Sequence, residues 1–210
     1  MAALQTAEPF KASFSVSLSM AALVYSFSFL ASTCRVKGLY RPFCCNVMRV
    51  GIITLSDSAF LGQREDESGA AIEKIMQESK YQVVHRSVLP DSRRKISEAL
   101  KELCDSRQLD LIVTTGGTGL SPSDQTPEAT MDILERIVPG ISEALRWNSM
   151  RFTPRAMLSR GVAGIRKNTL VINLPGSPQA VEECLRFLLP ALSHGLEVLK
   201  GNVKDCAKDR

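Results

Sequence analysis

The stretch TTGGTGLSPSDQTPEAT, Thr114 to Thr130, carries residues whose types and spacing could do chemistry. Gly116, Gly117 and Gly119 stand within four positions, and Asp124 follows five residues after the last of them. Glycine tolerates positive φ and lets a ligand approach the backbone with no Cβ in the way. Successive N–H groups in such a turn make a concavity suited to an anion, above all a phosphate or pyrophosphate. The loop lacks the GK[ST] ending of a Walker A loop and is not GxGxxG. Taken alone, it is equally a tight strand-to-loop turn.

Asp124 shifts the balance toward function. Pro122 and Pro127 flank it and stiffen the loop by fixing φ. A second carboxylate, Asp91, follows Pro90 directly. Two carboxylates beside a phosphate cradle suit Mg²⁺-assisted phosphoryl or nucleotidyl transfer, because Mg²⁺ takes one or two carboxylates together with phosphate oxygens. Each aspartate also has a plain reading, Asp91 as a turn residue and Asp124 as an Asx-turn former. In LPGSP, Leu174 to Pro178, Gly176 and Ser177 open a helix whose free amides and dipole favour an anion, while Ser177 serves equally as an ordinary N-cap. LSRGVAGIRK brings Ser159, Arg160, Arg166 and Lys167, which could hold a further phosphate or simply face solvent.

The elements that must position these groups alternate. RVGIITL (Arg49–Leu55), YQVVHRSVL, DLIVTT and TLVINL (Thr169–Leu174) read as strands, short apolar runs rich in β-branched residues. Between them, Ile72, Ile75 and Met76 fall at helical spacing. Ser92 is placed to cap a helix with Ile96, Leu100 and Leu103 on one face. EATMDILERIV reads as a helix ended by Pro139–Gly140, ISEALRW as another, and the stretch after PGSP as a last one carrying Val181, Cys184, Leu185 and Leu188. Strands alternating with helices imply crossover connections and a mostly parallel sheet covered on both faces, a three-layer α/β/α sandwich. Ligands bind such sheets beyond the carboxyl ends of the strands. Asp57, Asp91, the glycine loop and PGSP each follow a strand end, so all four are expected at one edge.

Composition narrows the rest. The 210 residues are 44% hydrophobic and 23% charged, ordinary for a globular chain. Residues 1–48 hold four of the 26 basic residues and one of the 22 acidic ones, so the net charge of +4 belongs mostly to that segment. No basic stripe interleaved with aromatics marks a nucleic-acid surface. Six cysteines are too few for a disulfide scaffold, and two histidines offer little to zinc; reduced, mostly buried thiols of a cytosolic protein are expected. Ala12–Cys34 is uncharged over 23 residues, long enough to span a bilayer, yet eight of them are Ser or Thr. Met48 immediately precedes the first globular strand, so the expected start lies there, with 1–47 a non-globular extension. A targeting peptide or membrane anchor is the alternative. The globular domain is expected over 48–203, with a short tail at 204–210.

TTGGTG with DQTPEAT, LPGSP and LSRGVAGIRK, in this order, resembles the molybdopterin-binding fold of molybdenum-cofactor biosynthesis, and within it the molybdopterin adenylyltransferases (the MogA family and the G domain of gephyrin). The likeness covers roughly residues 49–200. It implies a cytoplasmic homotrimer that transfers AMP from ATP to molybdopterin with Mg²⁺, releases pyrophosphate and hands its product to a molybdate insertase. By motif, the resemblance puts the catalytic, metal-holding carboxylates on Asp91 and Asp124. It puts substrate binding on Ser56, Asp57, Gly116, Gly117, Thr118, Gly119, Ser159, Pro175, Gly176 and Ser177. No nucleic-acid partner and no membrane association are implied, although 1–47 has no counterpart and leaves membrane or organelle targeting open. A MoaB-type sibling, a non-catalytic pterin carrier or scaffold, and nucleotide hydrolysis on a related fold are the competing readings.

Overall fold

The computed structural model describes residues 47–202; the apolar segment Ala12–Cys34, the rest of the leading extension and the tail from 203 lie outside them. The four apolar runs form β1 (Arg49–Leu55), β2 (Gln82–Leu89), β3 (Leu111–Thr115) and β6 (Thr169–Leu174), paired parallel. Every residue of β3 and β6 is buried, which is why these strands read as continuous apolar runs and not as an alternation. Two short strands, β4 (Arg136–Ile137) and β5 (Ala163–Arg166), complete a six-stranded sheet in the order β2-β1-β3-β6-β5-β4. They run antiparallel at the β6 side.

The pleat sends alternate side chains to opposite faces. Val50, Ile52, Leu111, Val113 and Ile172 pack on one face against α2 (Glu67–Glu78), α5 (Pro139–Ser149) and α6 (Pro178–Leu199). Ile53, Leu55, Ile112 and Val171 pack on the other against α3 (Arg93–Ser106) and α4 (Thr126–Met131). The expected helical contacts, Ile72, Ile75 and Met76 in α2 and Ile96, Leu100 and Leu103 in α3, are all buried. Fully burying each such aliphatic side chain contributes about 1.5–3 kcal/mol. The layers are those of an α/β/α sandwich with a mostly parallel sheet.

Three local expectations change. EATMDILERIV is not one helix: α4 stops at Met131, and the chain turns to lay down β4 beside β5. The main-chain carbonyl of Ile133, which a continuing helix would use internally, instead accepts from Arg166 Nη1 at 3.1 Å. Ser92 occupies the N-cap of α3, but its hydroxyl makes no capping bond. LSRGVAGIRK does not gather its bases at one phosphate. The antiparallel run of β5 carries Arg166 toward the start of β6, at the edge opposite the parallel strands' carboxyl ends. There Arg166 and Lys167 both pair with Asp105, at 2.7 and 2.9 Å.

Candidate active site

The parallel strands deliver their loops to one edge, as the strand-end rule requires. β1 leads into Ser56, which caps the short helix α1 (Asp57–Phe60) by accepting from the Ala59 N–H at 3.3 Å. The Ser56 N–H donates to the Leu89 carbonyl at the end of β2 (3.1 Å), and the Asp91 N–H donates to Asp57 Oδ1 (3.1 Å). The loops after β1 and β2 are thus bound together, and their two aspartates stand side by side.

β3 ends in the glycine turn. Gly116 and Gly117 take φ of +96° and +61°, where any side chain would be strained. A Cβ on Gly116 would lie 2.2 Å from the Leu55 carbonyl oxygen, and one on Gly117 would lie 2.3 Å from Thr126 Oγ1 and 2.9 Å from Asp91 Oδ1. Thr126 locks the turn from α4: its hydroxyl donates to the Gly116 carbonyl (3.0 Å) and its N–H to the Gly117 carbonyl (3.2 Å). Gly119 does not use positive φ. It is needed for space, since its Cβ would meet Asp124 Oδ2 at 2.8 Å. That oxygen accepts the Ser121 N–H at 3.0 Å, so the Asx-type contact and the position beside the turn coexist.

Asp91 is the unusual carboxylate. Its Oδ1 is buried with no hydrogen-bond partner. Burial pushes its pKa above the ordinary value, and the charges of Asp57 and then Asp124 add to the rise. An orphaned carboxylate oxygen facing two like charges is an environment that a cation would relieve. Among the described residues, no group of three or more His, Cys, Asp or Glu side chains gathers as a metal site. A divalent ion here would rest on Asp91 and Asp124 plus substrate oxygens, the manner in which Mg²⁺ is commonly held. The residues present fit such an ion.

β6 closes the edge with Pro175, Gly176 and Ser177. The Thr115 hydroxyl donates to the Pro175 carbonyl (2.7 Å) and the Ser68 hydroxyl to that of Gly176 (2.8 Å). The Ser177 hydroxyl accepts from the Ala180 N–H at 3.2 Å, capping α6. A cavity of about 270 Å³ opens beside Thr118, Gly119, Ser159 and Pro175, walled by Arg146 and Cys184. A second, of about 200 Å³, adjoins Ser56, Gly116 and Gly176 and reaches the buried, unpartnered Thr54 hydroxyl. The sequence-predicted residues therefore line one continuous edge, with the aspartates and the glycine turn between the strand ends.

Two contributors escaped the sequence reading. Arg146 of α5 donates to the carbonyls of Ser159 (3.3 Å) and Gly161 (2.9 Å), shaping the larger cavity; nothing in ISEALRW signals this. Asn173, only 4% exposed, donates to the Thr114 and Thr130 hydroxyls (2.9 and 3.0 Å) and accepts the Val162 N–H (3.2 Å) beneath that cavity. A lone amide inside the apolar run TLVINL was its signal.

Residues 51–194 match a family profile described as a probable molybdopterin binding domain. The chain belongs to this family. The chain is similar to the molybdopterin adenylyltransferase of Helicobacter pylori J99, 40% identical over 157 residues, which cover 74% of this chain and 89% of that one. The Escherichia coli K12 protein of the same name is 36% identical over 161 residues, 75% of this chain and 78% of that one. Among solved structures, the molybdopterin biosynthesis enzyme MoaB of Thermus thermophilus superposes with a TM-score of 0.70 at 46% identity, covering 74% of this chain and 98% of that one.

Proposed function

We propose that the chain is a molybdopterin adenylyltransferase, moving AMP from ATP to the terminal phosphate of molybdopterin. The observation that carries this is the meeting of Asp57, Asp91 and the Asp124 charge at a glycine turn between two cavities, in a chain related to enzymes of that name.

In the reaction, an oxygen of the pterin phosphate forms a bond to the α-phosphorus of ATP. The bond from that phosphorus to the bridging oxygen breaks, and pyrophosphate leaves with the electron pair. The attacking phosphate monoester is largely doubly ionised at neutral pH, so no strong base is required. The chain's work is positioning and electrostatics. The amides of Gly116 to Gly119 receive phosphate oxygens, and the N-terminus of α6 at Gly176–Ser177 adds favourable dipole. Ser56, Asp57, Ser159 and Pro175 bound the space the two substrates share. Mg²⁺ held by Asp91 and Asp124 would neutralise charge on the triphosphate.

The reading extends to a homotrimer working in the cytoplasm and passing its product to a molybdate insertase. Support for self-association is an apolar surface on α5 and the 3₁₀ turn Pro154–Leu158, where Trp147, Met150, Phe152 and Met157 are exposed. Among the described residues no helix is long and apolar enough to cross a membrane.

A MoaB-type sibling is the second reading, favoured by the 46% identity to the Thermus protein. Purified chain mixed with molybdopterin, ATP and Mg²⁺ separates the two: the adenylyltransferase reading expects adenylylated pterin and pyrophosphate in equal amounts. Asp124→Asn is expected to lower turnover by orders of magnitude with little change in fold. Bound pterin without product would favour the sibling or a carrier, and full turnover by Asp124→Asn would remove its metal role.

A further inference from the structure

Arg160 sits next to the cavity-lining Ser159, and its side chain turns toward the glycine loop. Its backbone N–H donates to the Thr118 carbonyl at 2.9 Å, and its Nε donates to the Gly119 carbonyl at 2.7 Å. One terminal nitrogen donates to the Asp124 main-chain carbonyl and the other pairs with the Glu128 carboxylate. The two carbonyls gripped by the guanidinium are the first and last of the segment Gly119–Asp124. The residues between, Leu120 to Ser123, are exposed, with Leu120 64% accessible.

Such a segment has little burial to hold it, and ordering each residue costs backbone entropy. Hydrogen bonds from a charged donor are stronger than neutral ones and offset part of that cost. The planar fork reaches several acceptors in fixed directions, which a lysine ammonium cannot reproduce.

We propose that Arg160 is a positioning residue for Asp124. By stapling both ends of the Gly119–Asp124 segment, it fixes the Asp124 carboxylate beside the glycine turn. Because Ser159 lines the substrate cavity and Arg160 braces the carboxylate loop, one short stretch of chain serves both. The inference rests on the adenylyl-transfer reading for its catalytic consequence, but not for the bracing itself.

The test uses the full chain and the variants Arg160→Lys and Arg160→Gln, so that one remains if the other fails to fold. Amide hydrogen exchange, thermal unfolding and steady-state kinetics are measured on each. Exchange in residues 119–125 is expected to accelerate about tenfold or more while β1, β3 and β6 stay protected and Tm holds. Turnover number is expected to fall about tenfold or more with KM for molybdopterin little changed. Lysine is expected to recover little, since it keeps the charge and loses the fork. Unchanged loop exchange, acceleration spread evenly over the whole domain, or full activity in Arg160→Lys would overturn the proposal. Selective loosening in a chain whose unsubstituted form makes no product would uphold the bracing and sink the adenylyl-transfer reading instead.

Discussion

Replacing Gly119 by alanine isolates the placement of Asp124 from the integrity of the fold. The added Cβ would stand 2.8 Å from Asp124 Oδ2, and relief of that contact needs a retreat of about half an ångström. A 1 Å misplacement near reacting groups can cost about a hundredfold in rate, so half of that predicts roughly a tenfold loss. In barrier terms this is about 1.4 kcal/mol. Stability should scarcely move. Gly119 is not among the positive-φ residues, so alanine gains about 0.4–1 kcal/mol by restricting the unfolded chain. That offsets the weakening of the Ser121 N–H to Asp124 carboxylate bond, a charge-assisted bond worth about 1.5–3 kcal/mol if lost outright and only lengthened here on an exposed loop. Gly116→Ala is the contrast: its φ of +96° and a Cβ 2.2 Å from the Leu55 carbonyl oxygen leave no room to yield. That variant should lose at least about 2 kcal/mol, from left-handed strain of 1–2 kcal/mol together with the clash. At about 2–4 °C per kcal/mol for a domain of this size, its Tm should drop by several degrees while that of Gly119→Ala stays within about two. Parallel calorimetry and kcat/KM measurements decide. A stable Gly119→Ala chain with undiminished kcat/KM would refute the claim that Asp124 placement limits turnover.

Other substitutions probe the support and the surface. Asn173→Leu keeps the branched shape but leaves the half-buried Val162 N–H without its acceptor and removes two N–H donors; urea titration should show a loss of about 2–4 kcal/mol. Hydrogen bonds from Arg166 and then Lys167 hold the Asp105 carboxyl well below the usual carboxylate range. A depressed folded pKa stabilises above the unfolded value, near 3.9, and that gain disappears as pH falls toward the folded value. Asp105→Asn should therefore lower Tm at neutral pH, with the gap to the unsubstituted chain closing only below about pH 4; a gap independent of pH would contradict the pairing. Trp147→Glu puts charge on a residue 64% exposed within the apolar surface of α5. If the proposed homotrimer forms through this surface, sedimentation should show the unsubstituted chain as a trimer and the variant as smaller species; a trimer in both would place the contact elsewhere.

The parallel half of the fold was legible because β1, β3 and β6 are buried on both faces, and such strands show as unbroken apolar runs between turn residues; β2, half-buried over most of its length, was betrayed by its β-branched residues alone. The antiparallel pair was not. β4 has two exposed residues, and β5 begins with Ala163 and Gly164 inside a basic stretch; their pairing is non-local and leaves no periodicity. Glu128 through Val138 read as a continuous helix because Ile133 and Leu134 fall at helical spacing, yet they pack onto the α3 face after the chain has turned. At the site, strand-end logic brought Asp57, Asp91, Gly116 and Ser177 to one edge without knowledge of any ligand. Orientation was hidden. That Asp91 would carry an orphaned oxygen and Arg160 would spend its guanidinium on the loop depends on side-chain directions that spacing does not encode.

The most direct measurement is a single-turnover assay of residues 1–210 with molybdopterin, α-labelled ATP and Mg²⁺, following label in the pterin and release of pyrophosphate. Adenylyl transfer at a glycine turn flanked by Asp91 and Asp124 predicts one labelled adenylyl group on molybdopterin per pyrophosphate released, with both lost together in Asp124→Asn. Pterin that binds but never acquires label, or nucleotide that is cleaved equally well without pterin, would contradict it.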